Sequence, residues 1–149
     1  MGCRCEDTPD GILLTGPAGG RLRAVDADLH AFSDQALTLA AIAPFADGPV
    51  TIRGISHIRL QECDRIEAIL TNLGRMGIHA KCSEEDVLTI FPGALKSAEI
   101  ETFGDHRVAM SFAVTGLRAP GITILDPLCC RKTFEGYFDL LSEIITANT

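Results

Sequence analysis

The chain has 149 residues, with 13 Lys and Arg side chains against 20 Asp and Glu, for a net charge of −7. This length allows one globular domain with a buried core. Hydrophobic residues make up 46% of the chain and charged residues 22%, a balance that argues against disorder and against a membrane protein. The negative charge disfavours nucleic acid and anionic membranes as partners, so an anionic ligand must meet a local cluster of cations.

The six cysteines show no spacing typical of a metal or redox site. None forms a C-x-x-C pair, and Cys129 and Cys130 are adjacent. The cysteines therefore indicate neither a zinc site nor a thioredoxin-type motif. We predict no metal and no cofactor. The N-terminal segment Met-Gly-Cys-Arg-Cys-Glu lacks the apolar run of a signal peptide. These features lead us to expect reduced thiols and a cytoplasmic protein.

The predicted elements alternate between strands and helices. The apolar run Gly11–Thr15, closed by glycines and a proline, predicts a strand. An Ala- and Leu-rich helix is predicted from Gln35 to about residue 46, with Pro44 near its end. The elements that follow are a strand over 50–55, a helix over about 64–76, and two strands over 78–82 and 87–91 joined by an acidic turn.

This order of elements recurs further along the chain. Asp34, before a helix, has a counterpart in Asp105, and Thr51, in a strand, has a counterpart in Thr123. We predict repeated α/β units over about 30–100 and 101–149, the second incomplete. Neither G-x-G-x-x-G nor a P-loop pattern is present, so nothing favours a nucleotide-binding fold.

Cations stand repeatedly at predicted helix starts, where the helix dipole disfavours them. Arg65 lies in the first turn of one helix, His106 and Arg107 begin another, and Lys132 precedes the last. A solvated, salt-bridged helix start and a site for a small anionic ligand both explain one such cluster. Their repetition favours the anion site. Asp34, taken alone, is better interpreted as a helix N-cap.

Four segments, in order, resemble the motifs of the 5-enolpyruvylshikimate-3-phosphate (EPSP) synthase family. Residues 59–65, RLQECDR, resemble R-x-K-E-x-[DE]-R, and residues 104–110, GDHRVAM, resemble D-H-R-[MIV]-A-M. Residues 126–138 resemble D-P-x-C-x-x-K-T-[FY]-x-x-[FY]-F, and residues 33–38 match [PS]-D-x-x-x-T. The resemblance covers almost the whole chain. It implies an α/β fold of repeated βαβαββ units that forms most of one lobe of an inside-out α/β barrel.

The resemblance also implies a reaction, the transfer of the enolpyruvyl group of phosphoenolpyruvate to the 5-hydroxyl of shikimate 3-phosphate. Two acid/base groups are needed for this chemistry, and Asp34 and Glu62 match the catalytic pair of the family. The implied ligands of shikimate 3-phosphate are Asp34, His57 and Gln61. The implied ligands of phosphoenolpyruvate are Glu62, Arg65, His106, Arg107 and Lys132.

Two departures from the family pattern accompany the match. Gln61 stands where the family usually has Lys, and His57 where it commonly has Asn. The family enzyme is also much longer, so we expect a C-terminal fragment that lacks the N-terminal lobe and does not turn over alone. Exposed apolar surface left by the missing part predicts a possible dimer. The alternatives are a UDP-N-acetylglucosamine enolpyruvyl transferase, and a non-catalytic anion-binding or assembly module.

Overall fold

A computed structural model of the chain describes residues 1–147. In chain order, the strands are β1 (Arg4–Thr8), β2 (Gly11–Thr15), β3 (Asp26–Asp28), β4 (Val50–Arg53), β5 (Ala80–Cys82), β6 (Leu88–Ile90), β7 (Ala98–Ile100) and β8 (Ile122–Ile124). The helices are α1 (Gln35–Ile42), α2 (Arg65–Arg75), α3 (His106–Gly116) and α4 (Tyr137–Ala147). Short 3-10 segments precede α2 at Ser56–Leu60 and α4 at Pro127–Lys132.

The strands form three sheets. The largest has the order β3-β4-β6-β5, in which β3 is parallel to β4 and the other pairs are antiparallel. A second, parallel pair joins β7 to β8. In both sheets one helix connects the two parallel strands, α1 between β3 and β4 and α3 between β7 and β8. The predicted α/β class is confirmed.

The strand that opens the first of these units was not predicted. Gly11–Thr15 is a strand, but it pairs antiparallel with β1 in a separate hairpin. The opening strand is β3, whose sequence Asp-Ala-Asp has no apolar pattern. Its pairing with β4 is supported by Arg53, whose Nε donates to Asp26 Oδ1 at 2.6 Å. Like β3, β1 was not predicted, because a strand of mainly polar residues is identified by its partner strand. Strand β7 was not predicted either, because its three residues are too few to show a pattern.

The remaining predicted elements are found, with shifted ends. Helix α1 stops at Ile42, earlier than the predicted residue 46, and Pro44 lies in the 3-10 turn that follows. Proline lacks the N–H that another helical turn requires. Helix α2 keeps the predicted span to within one residue at each end, and β5 and β6 form the predicted antiparallel hairpin.

The core lies between the helices and the four-stranded sheet. Leu37 and Ala41 of α1 and Phe112 of α3 are fully buried. The hydroxyl of Thr115 in α3 donates to the carbonyl oxygen of Ala41 at 2.9 Å, which holds the two helices side by side. Within residues 1–147 no helix is both long enough and apolar enough to cross a membrane. This packing brings the first turns of α1, α2 and α3 to one place.

Candidate active site at three helix starts

Arg65 lies at the centre of the region where the first turns of α1, α2 and α3 meet. It is the first residue of α2, and its side chain is 3% exposed. Its Nε donates to Asp105 Oδ2 at 2.7 Å, and its Nη1 donates to Asp34 Oδ1 at 2.8 Å and contacts Gln61 Oε1. Burial alone would lower the pKa of Arg65, but the two carboxylates outweigh it and raise that pKa. The cation at the helix start is therefore neutralised by carboxylates from two other segments.

Asp105, directly before α3, is the carboxylate that anchors Arg65. It is fully buried, and its Oδ1 accepts a hydrogen bond from the backbone N–H of Arg107 at 2.8 Å. Burial alone would raise the pKa of Asp105, but the bonds from Arg65 and from the N–H of Arg107 lower it overall. Our sequence analysis assigned Asp105 no role, although its place in the repeat matches that of Asp34.

A clamp and a tight turn position Asp105. The side-chain amide of Asn72 in α2 donates to the carbonyl oxygen of Glu101 and accepts from its N–H, both at 2.9 Å. Phe103 and Gly104 then adopt positive φ angles of 54° and 69°, the left-handed region that a side chain at residue 103 adopts only at some cost. The turn redirects the chain into α3, so that Asp105 faces Arg65.

Asp34 is not the N-cap that its residue type indicated. Its backbone has helical angles, φ −60° and ψ −27°, and its side chain makes no capping hydrogen bond. A cap residue normally has an extended backbone. The carboxylate instead lies between two guanidinium groups, with Arg107 Nη2 3.0 Å from Asp34 Oδ2 and Arg65 on Oδ1. Asp34 therefore joins α1 to the first residues of α2 and α3.

Glu62, His106 and Lys132 form the second half of the cluster. Lys132 Nζ lies 2.6 Å from Glu62 Oε1, and His106 Nδ1 lies 3.2 Å from Glu62 Oε2. The hydrogen bond from Lys132 is the main reason that the pKa of Glu62 is lowered. His106 Nδ1 also lies 3.8 Å from Asp105 Oδ1. Asp105 thus links this half of the cluster to the half around Arg65.

Seven of the eight predicted site residues belong to this network. His57 does not: it is exposed, and its ring packs edge-on against that of His30, with centroids 5.4 Å apart. In the part of the chain that the structure describes, no hydrogen bond or ion pair joins His57 to the other seven. Its predicted contact with shikimate 3-phosphate therefore has no geometric support from its neighbours.

A cavity of about 270 Å³ lies beside Asp34 and Arg107. Thr38 and Ser111 line it, and their hydroxyl oxygens are 3.2 Å apart. Tyr137 lines it as well, with its hydroxyl donating to the carbonyl oxygen of Met110 at 3.0 Å. Our sequence analysis did not assign Ser111 or Tyr137 to the site. A hydroxyl on the same helix as Arg107, one turn further on, is the signal that identifies Ser111.

Residues 1–141 match the family model for EPSP synthase (3-phosphoshikimate 1-carboxyvinyltransferase). The chain belongs to the EPSP synthase family. It is 51% identical over 138 residues to the 3-phosphoshikimate 1-carboxyvinyltransferase of Nostoc punctiforme, covering 93% of this chain and 32% of that protein. It is 41% identical over 149 residues to the chloroplastic enzyme of Arabidopsis thaliana, covering 97% of this chain and 29% of that protein.

Solved structures agree with the family assignment. An EPSP synthase from Acinetobacter baumannii superposes with a TM-score of 0.78 at 26% identity, over 89% of this chain and 32% of that one. The enolpyruvyl transferase NikO from Streptomyces tendae has a TM-score of 0.69 at 21% identity, over 96% of this chain and 32% of that one, and shares the fold. The chain spans about a third of the length of the curated relatives it matches.

Proposed function

We propose that this chain supplies one half of an enolpyruvyl transfer site. The reaction moves the enolpyruvyl group of phosphoenolpyruvate to the 5-hydroxyl of shikimate 3-phosphate and releases phosphate, as the names of the relatives indicate for those proteins. The observation that carries the proposal is the convergence of two carboxylates, Asp34 and Glu62, with three cations, Arg65, Arg107 and Lys132. Acid/base groups and anion ligands are thereby held in one place.

The transfer requires two opposite proton movements. The 5-hydroxyl oxygen forms a bond to C2 of phosphoenolpyruvate while C3 gains a proton, and the hydroxyl proton leaves. Phosphate then departs from C2 with the electrons of its C–O bond, and C3 loses a proton to restore the double bond. In the proposal Asp34 receives the hydroxyl proton, and Glu62 delivers the proton to C3 and later removes one.

The cations hold the phosphate and carboxylate of phosphoenolpyruvate. Arg107 and Lys132 are the accessible members, with side chains 37% and 68% exposed. Arg65 is buried among carboxylates, so in the proposal it orients Asp34 while it contributes positive charge near the ligand. His106 lies beside Glu62 at the same end of the cluster. Preorganised charges of this kind stabilise the negative charge that develops on the departing phosphate.

Lys132 connects ligand binding to the protonation of Glu62. Its hydrogen bond lowers the pKa of Glu62, so without a ligand Glu62 is ionised at neutral pH and has no proton to deliver. The phosphate of phosphoenolpyruvate competes for the same ammonium group. When Lys132 moves to that phosphate, the pKa of Glu62 rises and the carboxyl can take up a proton. In this proposal the substrate itself converts Glu62 into an acid.

Gln61 keeps its place in the site without the charge of the usual Lys. Its side-chain oxygen accepts from Arg65 Nη1, whereas a Lys ammonium there would repel the guanidinium. The contact with Arg65 still orients the side chain at position 61, but the site has one cation fewer near the reacting oxygen. This departure is the feature that favours a non-catalytic, anion-binding module as the second candidate function.

The rest of the site comes from outside this chain. We propose that the chain corresponds to most of one lobe, with repeat units over about 30–100 and 101–149, and that an N-terminal lobe completes the ligand shell. Leu125, Leu128 and Leu140 are exposed apolar side chains that such a lobe, or a second copy of the chain, would cover. We also propose a cytoplasmic location, because reducing conditions keep the six thiols free.

A chimera tests the proposed function directly. The matched 138 residues of the Nostoc punctiforme relative are replaced by this chain, and phosphate release is measured with both substrates. We expect release that requires both substrates and that falls at least about 100-fold in Glu62→Gln. Glu67→Gln, at an exposed carboxylate in the first turn of α2, is the matched control and should retain the rate. A chimera whose rate does not respond to Glu62→Gln would refute the role of Glu62.

The same chimera separates the alternatives. Phosphate release with UDP-N-acetylglucosamine in place of shikimate 3-phosphate would identify the sibling transferase. Binding of phosphoenolpyruvate by calorimetry, with no turnover and no coupling to the first substrate, would identify an anion-binding module. The isolated chain should release no phosphate above a Glu62→Ala control, because its site is open to water.

A further inference from the structure

His106 has a buried ring nitrogen with no hydrogen-bond partner. The residue is 5% exposed, and within residues 1–147 Nδ1 is the buried side-chain nitrogen or oxygen that lacks a hydrogen bond. Leaving such a polar atom unsatisfied costs about 1–3 kcal/mol, so it calls for an explanation. Nδ1 is aimed between two carboxylates, at 3.2 Å from Glu62 Oε2 and 3.8 Å from Asp105 Oδ1.

The three donor atoms have the spacing of a chelate. One ligand atom from each of Glu62, Asp105 and His106 lies within 4.8 Å of the others. With metal–nitrogen and metal–oxygen bonds of about 2.1 Å, adjacent donors in a tetrahedral complex are about 3.4 Å apart. The two distances from His106 Nδ1 lie on either side of this value. One imidazole and two carboxylates also suit a borderline divalent metal such as Zn²⁺.

The surrounding contacts leave each donor atom usable. Asp105 Oδ1 accepts from the N–H of Arg107, which occupies one of its lone pairs, and Arg65 remains on Oδ2. Bonds of this kind to the outer atoms of a ligand orient it toward a metal. Glu62 is exposed at the surface, which provides an entry path.

Lys132 is the competitor for this site. Its ammonium lies 2.6 Å from Glu62 Oε1 on a side chain that is 68% exposed. A divalent ion beside Glu62 repels that ammonium, and an exposed lysine can swing into water at small cost. Removal of Lys132 should therefore tighten metal binding, while removal of His106 should weaken it.

We propose that Glu62, Asp105 and His106 form a binding site for Zn²⁺, in which the metal takes the place of Lys132. The binding itself does not depend on the proposed reaction. Its consequence does rest on the proposed function: zinc bound to Glu62 would inhibit transfer, because it blocks the proton-carrying carboxylate. Binding is measured without substrates, so the two proposals can fail separately.

Isothermal titration calorimetry with Zn²⁺ on the untagged 149-residue chain tests the site. The thiols of Cys3, Cys5, Cys82 and Cys129 are exposed or half-buried and are other zinc ligands, so the background carries a serine at each of these four positions, and the half-buried Cys63 is changed separately. We expect one Zn²⁺ per chain. His106→Gln should weaken binding at least about tenfold, and His79→Gln, at an exposed histidine outside the cluster, should leave it unchanged.

Two further variants keep the result interpretable. Lys132→Gln should bind Zn²⁺ several-fold more tightly, a gain that a misfolded protein would not show. Cys63→Ser should bind as the background does, because its thiol contacts Asp105 Oδ2 and not the donor atom Oδ1. Equal affinity in the background and in His106→Gln, or a loss of binding in Cys63→Ser, would overturn the proposal.

Discussion

An aspartate directly precedes both α1 and α2, yet Asp34 and Asp64 make different contacts. Asp64 has an extended backbone and accepts a hydrogen bond from the N–H of Glu67 at 3.0 Å, so it caps α2. Asp34 has helical backbone angles and no capping bond, and its carboxylate pairs with Arg65 and Arg107. Asp64 also pairs with Arg59 five residues earlier, so what distinguishes Asp34 is that its two cations come from the starts of two other helices and that its backbone does not allow a cap.

Asp105 combines both roles, and its loss should have the largest effect on stability. Asp105→Asn leaves Arg65 buried without its principal counter-charge, so we expect a loss of about 3 kcal/mol in the free energy of unfolding at neutral pH. Urea unfolding measures it. Asp26→Asn, which breaks an exposed ion pair with Arg53, is the matched control and should cost far less. Equal losses in the two variants would mean that burial of an ion pair does not determine the cost of breaking it.

The acid dependence of this loss sharpens the comparison. The folded pKa of Asp105 lies below its ordinary value, so the ionised carboxylate stabilises the fold at neutral pH, and this contribution disappears as the pH falls through the folded pKa. The stability gap between the parent chain and Asp105→Asn should therefore be full at about pH 7 and shrink below about pH 4. Urea unfolding curves from neutral to acid pH measure this difference. A stability difference that stays constant over that range would contradict a stabilising role for ionised Asp105.

Replacement by serine separates the two helix starts. Serine is as good a cap as aspartate, and Arg59, which also pairs with Asp64, keeps its second partner Asp86. Asp64→Ser therefore loses one exposed ion pair, and the free energy of unfolding should change by less than about 0.5 kcal/mol. Asp34→Ser loses its ion pairs with Arg65 and Arg107, and we expect about 1 kcal/mol. Urea unfolding of the two variants side by side gives the comparison. If Asp64→Ser were the more damaging change, Asp34 would be only a surface carboxylate.

The smallest expected effect concerns protonation. Lys132→Met removes the hydrogen bond that lowers the pKa of Glu62, so that pKa should rise toward its ordinary value. Carbon-detected NMR titration of the Glu62 carboxyl measures the change. Arg131→Met, which removes a neighbouring exposed cation paired with Glu135, is the control and should leave the titration of Glu62 unmoved. A Glu62 pKa that does not rise in Lys132→Met would refute the proposed exchange of Lys132 between Glu62 and substrate.

Much of the fold follows from local patterns. The spacing of Ile66, Ile69 and Leu73 predicts α2 and its buried face, and all three side chains are fully buried. The strands β3 and β7 could not be predicted in this way, because each has only three residues and is ordered by pairing with β4 or β8. A strand of three residues carries too little periodicity to be identified without its neighbour.

The candidate site divides similarly. Motifs brought Asp34, Glu62 and Arg65 into the prediction, and the structure joins them in one network with Asp105 as the link. The prediction that a bound anion balances the cations at the helix starts was incomplete, since Arg65 is already neutralised by two carboxylates of the chain. His57 matched a family position but lies outside the network. A match to a motif position does not show which side chains contact one another in the fold.

The amino-acid sequence was sufficient to predict the α/β class, the order of most elements, the family and the residue types at each helix start. Tertiary packing, by contrast, determines which aspartates pair with a cation from the start of another helix, as Asp34 and Asp105 do. The reason is distance along the chain: Arg65 is 31 residues from Asp34 and 40 from Asp105. Local propensity is set within a few residues, whereas a buried ion pair requires that packing first brings remote segments together and removes water from between them.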